Sequence, residues 1–163
     1  MTDEHEKIGF NLDPDAWHQT PVETLWAKRI AAGAVGGVFE LDNTPFFARG
    51  ASYRDVVRAK MVDDMLEFAE VVEHRGHSTY RIAFEAQNDA VLSQWKKLAD
   101  LGCTREWGRC QGLILYAVDV PPAADIDAIE VLLGEYKTQG LWEVERAHLG
   151  HPKYCHQQTS HPG

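Results

Sequence analysis

Residues 112–120, GLILYAVDV, form the stretch of sequence that most constrains the fold. The run is apolar on both faces of an extended chain, which is typical of a strand in the middle of a sheet. Residues 103–107 indicate a short strand before this run, and Pro121-Pro122 ends it. Further out, apolar residues predict, in chain order, a strand, a helix, a second helix and a last strand. These residues are Tyr80, Ile82 and Phe84 for the first strand; Val91, Leu92, Trp95, Leu98 and Ala99 for the first helix; Ile126, Ile129, Leu133 and Tyr136 for the second helix; and Leu141, Trp142 and Val144 for the last strand.

The resulting order from residue 78 to residue 147 is βαββαβ. This order predicts a ferredoxin-like lobe, in which the first and third strands lie in the middle of the sheet. The strand at 112–120 is the third, and its two apolar faces agree with that position.

Residues 1–77 are predicted to form a second, β-rich lobe of short strands separated by turns. Val56–Met61 and Leu66–Val72 flank Asp63-Asp64 and indicate a hairpin, although a helix over residues 65–74 is an alternative. A small sheet can hide its edges by curling, so we expect a curved antiparallel sheet or a half-open barrel. The predicted fold class is therefore α+β, with this lobe packed on the ferredoxin-like lobe and a flexible His-rich tail over residues 148–163.

Composition limits the classes of partner. The formal net charge is −9, and the sequence contains no cluster of Lys and Arg, so neither nucleic acid nor an anionic membrane is an expected partner. No apolar run approaches the roughly 20 residues that cross a bilayer. The three cysteines are an odd number, which favours free thiols in a reducing compartment, and we expect a cytoplasmic protein.

Five segments together resemble a known bacterial family. They are LDNTPFFARG (41–50), DVVRA (55–59), FAEVVEHRGHSTYR (68–81), VDVPP (118–122) and GLWEVE (140–145). In this order they resemble the mainly actinobacterial family known as domain of unknown function 4265, over roughly residues 22–147. The resemblance implies one intact module and no cofactor or catalytic residues.

The segment around His77 is the most polar and reactive in the chain. It lies between the predicted lobes, where ligand sites often form. Ser78, Thr79 and Arg81 could hold a carboxylate or phosphate, and His77 could act as an acid or base. Asn43, in a separate predicted turn, is a further candidate. Alternatively, His77, Ser78 and Thr79 hold the turn by bonding to the backbone. No catalytic residue is assigned, because the sequence contains none of the common catalytic motifs.

The C-terminal tail contains several metal-binding side chains. His148, His151, Cys155 and His156 are good zinc ligands, although their spacing matches no zinc-finger pattern. The expectation is either zinc binding at this tail or a solvated tail without a cofactor.

Two functions follow as hypotheses. The first is a non-catalytic, acidic protein-binding module, such as an immunity or antitoxin-type protein that neutralises a basic toxin. Its contact residues would be the acidic group Asp63, Asp64, Glu67, Glu70 and Glu73. The alternative is a small enzyme or metabolite-binding protein with its site at the junction of the two lobes.

Overall fold

Nine strands in two sheets, with two helices, make up the part of the chain that the computed structural model describes, residues 5–33 and 36–152. In chain order the elements are β1 (His5–Asn11), β2 (Val22–Gly33), β3 (Gly36–Leu41), β4 (Val56–Val62), β5 (Met65–Glu73), β6 (Ser78–Phe84), α1 (Asp89–Asp100), β7 (Thr104–Cys110), β8 (Leu113–Val120), α2 (Ile126–Thr138) and β9 (Glu143–His148).

The first five strands form a closed barrel. Four neighbouring pairs are antiparallel, and β1 closes the ring on β5 through a parallel pair in which Ile8 faces Leu66. The prediction of a half-open form is therefore wrong, because the barrel is closed. Closure gives the two edge strands, β1 and β5, a hydrogen-bonding neighbour in each other. Alternate residues along the strands, among them Ile8, Leu25, Phe39 and Val57, fill the interior.

Residues 65–73 form a strand, not the alternative helix over residues 65–74. β4 and β5 pair as a hairpin around Asp63 and Asp64, which have φ angles of 50° and 65°. Two successive left-handed residues suit the twist of a two-residue hairpin turn, and aspartate tolerates that conformation. The predicted hairpin is thus confirmed.

The second sheet has the strand order β7-β8-β6-β9, so β6 and β8 lie in the middle where the sequence placed them. All its neighbouring strands are antiparallel. Both helices pack on one face, where Tyr80, Ile82, Tyr116 and Val118 share a core with Leu98 and Ile129. The side chains of Asn88 and Asp125 cap the helices by accepting hydrogen bonds from Val91 N and Ala128 N. The fold is therefore α+β, with strands predominating.

The second lobe extends past its predicted end at residue 147. β9 ends at His148, and His151 beyond it is only 3% exposed because it packs against β6. Residues 148–152 therefore belong to the packed structure, while the rest of the predicted tail lies outside the described residues.

The two cysteines within the described ranges are free thiols. Burial in the core of the second lobe raises the pKa of Cys103 to about 12, so its thiol stays protonated near neutral pH. No helix among residues 5–33 and 36–152 has both the length and the apolar character that a bilayer crossing requires.

Candidate functional site

The segment joining β3 to β4, residues 42–55, connects the two lobes. Asn43 Nδ2 and Thr44 N donate hydrogen bonds of 3.0 and 2.8 Å to the Glu106 carboxylate on β7. Farther along, Ala48 O accepts a 2.6 Å hydrogen bond from Arg81 Nη2 on β6. Arg81 alternates with Tyr80 and Ile82, so it projects from the sheet face opposite the helices. The segment therefore crosses that face and holds the barrel against the second sheet.

One buried carboxylate holds the middle of this segment. Glu23 of β2 accepts hydrogen bonds from the backbone N–H groups of Phe46, Phe47 and Ala48 at 2.6, 3.0 and 2.9 Å. Its negative charge also acts on Arg81, whose pKa burial lowers to about 10 against the opposing effect of Glu23. Glu23 thus connects the barrel, the crossing segment and the second sheet.

At the start of β6, His77 pairs with a buried aspartate. His77 Nδ1 lies 2.9 and 3.1 Å from the two carboxylate oxygens of Asp119 on β8. An ionised carboxylate only accepts hydrogen bonds, so the Nδ1 atom that faces Asp119 is the donor, and Nε2 is the ring nitrogen left for another partner. Tyr53 packs edge-to-face on the imidazole, with ring centroids 5.5 Å apart. A histidine oriented by a carboxylate in this way is suited to exchanging a proton with a ligand.

His77 lines a cavity of about 400 Å³ between the lobes. Both lobes contribute to its wall, and the groups are mostly hydrogen-bonding side chains: Asp42, Asn43, Thr44, Tyr53, His77, Thr104, Arg105, Glu106 and Asp119. The guanidinium of Arg105 lies over the rings of Trp95 and Tyr116, 4.9 and 4.3 Å from their centroids, and its buried Nη1 has no hydrogen-bond partner among the described residues. The size is that of a small-molecule site.

A second polar cluster lies at the same junction and contains Asp55, His74 and His148. One potential ligand atom from each of these residues lies within 4.8 Å of the others. Asp55 Oδ2 is 2.9 Å from His74 Nδ1, and the rings of His74 and His148 stack with centroids 4.6 Å apart. We refer to these three residues as the Asp–His–His cluster.

The Asp–His–His cluster is held by buried hydroxyl and backbone groups. Ser52 Oγ lies 2.7 Å from His148 Nδ1 and 2.6 Å from Thr79 Oγ1. The backbone N–H groups of Ser52 and Arg75 donate to the two oxygens of Asp55 at 2.9 and 3.0 Å. Burial lowers the pKa of His148, which favours its neutral form. The cluster is therefore positioned by both lobes.

Residues after β9 complete the junction. Ser78 Oγ contacts His151 Nδ1 at 2.7 Å and accepts a 3.0 Å hydrogen bond from Gly150 N. Burial also lowers the pKa of His151. A Cβ on Gly150 would lie 2.2 Å from His77 O and 2.8 Å from His148 Cε1, so only glycine fits between the two histidines.

The structure separates the residues that the sequence grouped as a ligand site. His77 and Asn43 line the same cavity. Ser78 contacts His151, Thr79 contacts Ser52, and Arg81 contacts Ala48 O and Glu145, so these three residues serve packing of the junction. Asp119 was not among the predicted site residues, although an aspartate within an apolar central strand is itself a signal of a functional or paired carboxylate.

The predicted acidic contact residues divide into two groups. Asp63 and Asp64 are exposed at the hairpin turn. Glu67 accepts a hydrogen bond from Asn11, Glu70 pairs with Arg58, and Glu73 pairs with Arg75. The charges of Glu70 and Glu73 are thus balanced by arginines, whereas Glu67 is bonded to a neutral amide.

Of the predicted tail ligands for zinc, His148 belongs to the Asp–His–His cluster and His151 contacts Ser78. Cys155 and His156 lie outside the described residues.

Comparisons with known proteins establish the family but no activity. The model of the family described as Domain of unknown function (DUF4265) matches residues 23–144. A solved structure, described as a novel crystal structure of a hypothetical protein from Neisseria gonorrhoeae, has a TM-score of 0.68 and 16% sequence identity, and the match covers 92% of this chain and 99% of that one. At this identity the likeness concerns the fold. No curated protein matches the chain.

Proposed function

Because this chain belongs to the family described as Domain of unknown function (DUF4265), its own geometry is the guide to its function, and we propose that it binds a small, uncharged polyhydroxyl molecule between its lobes. The observation that carries the proposal is the His77–Asp119 pair at the wall of a cavity of about 400 Å³. His77 Nε2 would accept a proton or hydrogen bond from a ligand hydroxyl.

The charges of the cavity wall support a neutral ligand. Three carboxylates, those of Asp42, Glu106 and Asp119, line the cavity. The guanidinium of Arg105 lies over the rings of Trp95 and Tyr116 instead. A phosphate or carboxylate would be repelled by this wall, whereas hydroxyl groups can donate hydrogen bonds to the carboxylates. Sugars and nucleosides without phosphate groups have the required chemistry.

The test is a binding experiment with matched neutral and charged probes. We expect calorimetric titration to detect a free monosaccharide or nucleoside, and its phosphorylated counterpart to bind at least about tenfold more weakly. His77→Asn keeps a donor toward Asp119 but removes Nε2, so it should weaken binding by about tenfold, the value of one lost hydrogen bond.

Glu135→Gln, on the exposed side of α2, is the remote control and should bind as the wild type does. Preference for the phosphorylated probe, or unchanged binding in a folded His77→Asn variant, would contradict the proposal.

A second candidate function is binding of a basic protein, as an immunity or antitoxin-type protein does. The observation that favours it is the end of the β4–β5 hairpin, where Met61 and Met65 are 42% and 56% exposed beside Asp63 and Asp64. Exposed methionine next to unbalanced carboxylates suits a basic partner with an apolar anchor. The free thiols Cys103 and Cys110 support a cytoplasmic site of action.

Asp63→Asn/Asp64→Asn tests this candidate without disturbing the turn, since asparagine also tolerates left-handed angles. Relative to the wild-type chain, we expect weaker capture of the basic partner from the cells of origin, together with a smaller dependence of binding on salt. If the capture of the partner and the salt dependence of binding both stay unchanged, the β4–β5 hairpin is not the electrostatic contact.

We also infer that the second lobe belongs to the ferredoxin-like class. Support comes from its element order from β6 to β9 and from the central position of β6 and β8.

A further inference from the structure

The Asp–His–His cluster combines the side-chain types that hold first-row divalent metals. Two imidazoles and one carboxylate, with a fourth position left to water, form a common type of zinc site. The three residues come from three different places in the chain: the end of the crossing segment, the residue after β5, and the last residue of β9. Their convergence is a product of the tertiary fold, and an ion bound there would be held by both lobes.

The distances in the cluster are close to those of a metal site. Two ligand atoms about 2.0–2.1 Å from a tetrahedral zinc ion lie about 3.3 Å apart. Asp55 Oδ2 and His74 Nδ1 are 2.9 Å apart and would separate slightly, while any pair near the outer limit of 4.8 Å would approach by roughly 1.5 Å. The side chain of His74 is 42% exposed and that of Asp55 is fully buried, so the imidazole can make this adjustment around a fixed carboxylate.

The supporting hydrogen bonds have the arrangement that a metal-binding histidine needs. Ligating histidines usually donate their second ring N–H to an oxygen, which fixes the tautomer. His148 Nδ1 is 2.7 Å from Ser52 Oγ, and Ser52 Oγ is in turn 2.6 Å from Thr79 Oγ1. Nδ1–H of His148 can therefore donate to Ser52 while Ser52 donates to Thr79, which leaves His148 Nε2 as the ligand atom.

From these observations we propose that Asp55, His74 and His148 bind one zinc ion at the lobe junction, with its fourth position open to solvent on the His74 side. The site is independent of the polyhydroxyl ligand proposed for the cavity at His77. It also differs from the tail site predicted from sequence. Only His148 is common to both, and Asp55 and His74 come from the barrel lobe.

Zinc alone, titrated into the metal-free full-length chain, tests the proposal. We expect one zinc ion per chain and a higher melting temperature with zinc bound. His74→Ala should fold, because the side chain is exposed, and should weaken zinc binding by more than the roughly 10–100-fold that loss of a supporting residue causes. His5→Ala is the matched control: His5 also pairs with an aspartate, Asp42, at 2.5 Å, but among the described residues these two do not belong to a group of three metal-binding side chains. Its zinc affinity should equal that of the wild type.

A variant with Cys155, His156 and His161 replaced by serine, alanine and alanine separates this site from the tail. We expect the zinc affinity of this variant to equal that of the wild type. We also expect a cobalt-substituted wild-type chain to show visible d–d absorption without a thiolate-to-cobalt charge-transfer band. The proposal is overturned by absence of stoichiometric zinc in the wild-type chain, by wild-type affinity in His74→Ala, or by loss of binding in the tail variant. Binding of the polyhydroxyl probes in His74→Ala reports separately on the cavity, so the two proposals can fail independently.

Discussion

Gly150→Ala is expected to lower the free energy of unfolding by about 3 kcal/mol, at the upper end of what an added methyl group costs in a packed region. The new Cβ would lie 2.2 Å from His77 O, a backbone atom that β6 holds nearby, and 2.8 Å from the His148 ring. Relief requires residues 148–151 to move away, which would break the contacts between Ser78 and His151 and between Ser52 and His148. Thermal unfolding should show a decrease of roughly 2–4 °C for each kcal/mol.

Gly134→Ala is the control for this change. Gly134 lies within α2, and a Cβ there meets no atom within 4 Å. Alanine in a helix interior is favoured over glycine by roughly 0.5–1 kcal/mol, so this variant should be slightly more stable than the wild type. A Gly150→Ala protein as stable as the wild type would show that the segment after β9 is not held against His77.

Glu23→Gln is expected to lower the free energy of unfolding by about 2–4 kcal/mol. The carboxylate accepts three backbone hydrogen bonds, and hydrogen bonds to a charged group contribute about 1.5–3 kcal/mol each. Glutamine has nearly the same shape but only one oxygen, so its amide N–H₂ would face a backbone N–H that also donates. The buried Arg81 would in addition lose a nearby negative charge.

Urea unfolding of Glu23→Gln against Glu135→Gln measures this effect. Glu135 is exposed on α2, so its substitution should change stability by less than about 0.5 kcal/mol. If the two variants unfold at the same urea concentration, Glu23 does not hold the crossing segment, and the attachment of the lobes depends on Glu106 and Arg81 instead.

The helices and strands of the second lobe were predicted because each has its own pattern of apolar residues within a short stretch of sequence. The two apolar faces of residues 112–120 placed β8 in the middle, and helical spacing located α1 and α2. Closure of the barrel was not predictable in this way. It depends on a short parallel contact between Ile8 and Leu66, and the alternation of apolar residues is the same in an open and a closed sheet.

The candidate site was predicted only in part, for the same reason. His77 stood out as a reactive residue between the lobes, but its partner Asp119 is 42 residues away in sequence. The partners of His148 come from the opposite lobe, so the spacing of histidines near the C-terminus suggested a local site instead. Ser78 and Thr79 are common turn-forming residues, and only the packing of the junction shows that both are buried hydrogen-bonding groups.

The closed barrel and the open second sheet differ in how they can associate with other chains. A barrel strand has neighbours on both sides, whereas β7 and β9 form the two outer edges of the second sheet. Charged side chains occupy three of the 7 positions in β7 and three of the 6 in β9, against one of the 8 in the central β8. Charges on edge strands deter the addition of a strand from another molecule. The sheet edges that the fold leaves open are therefore protected against aggregation by their own composition.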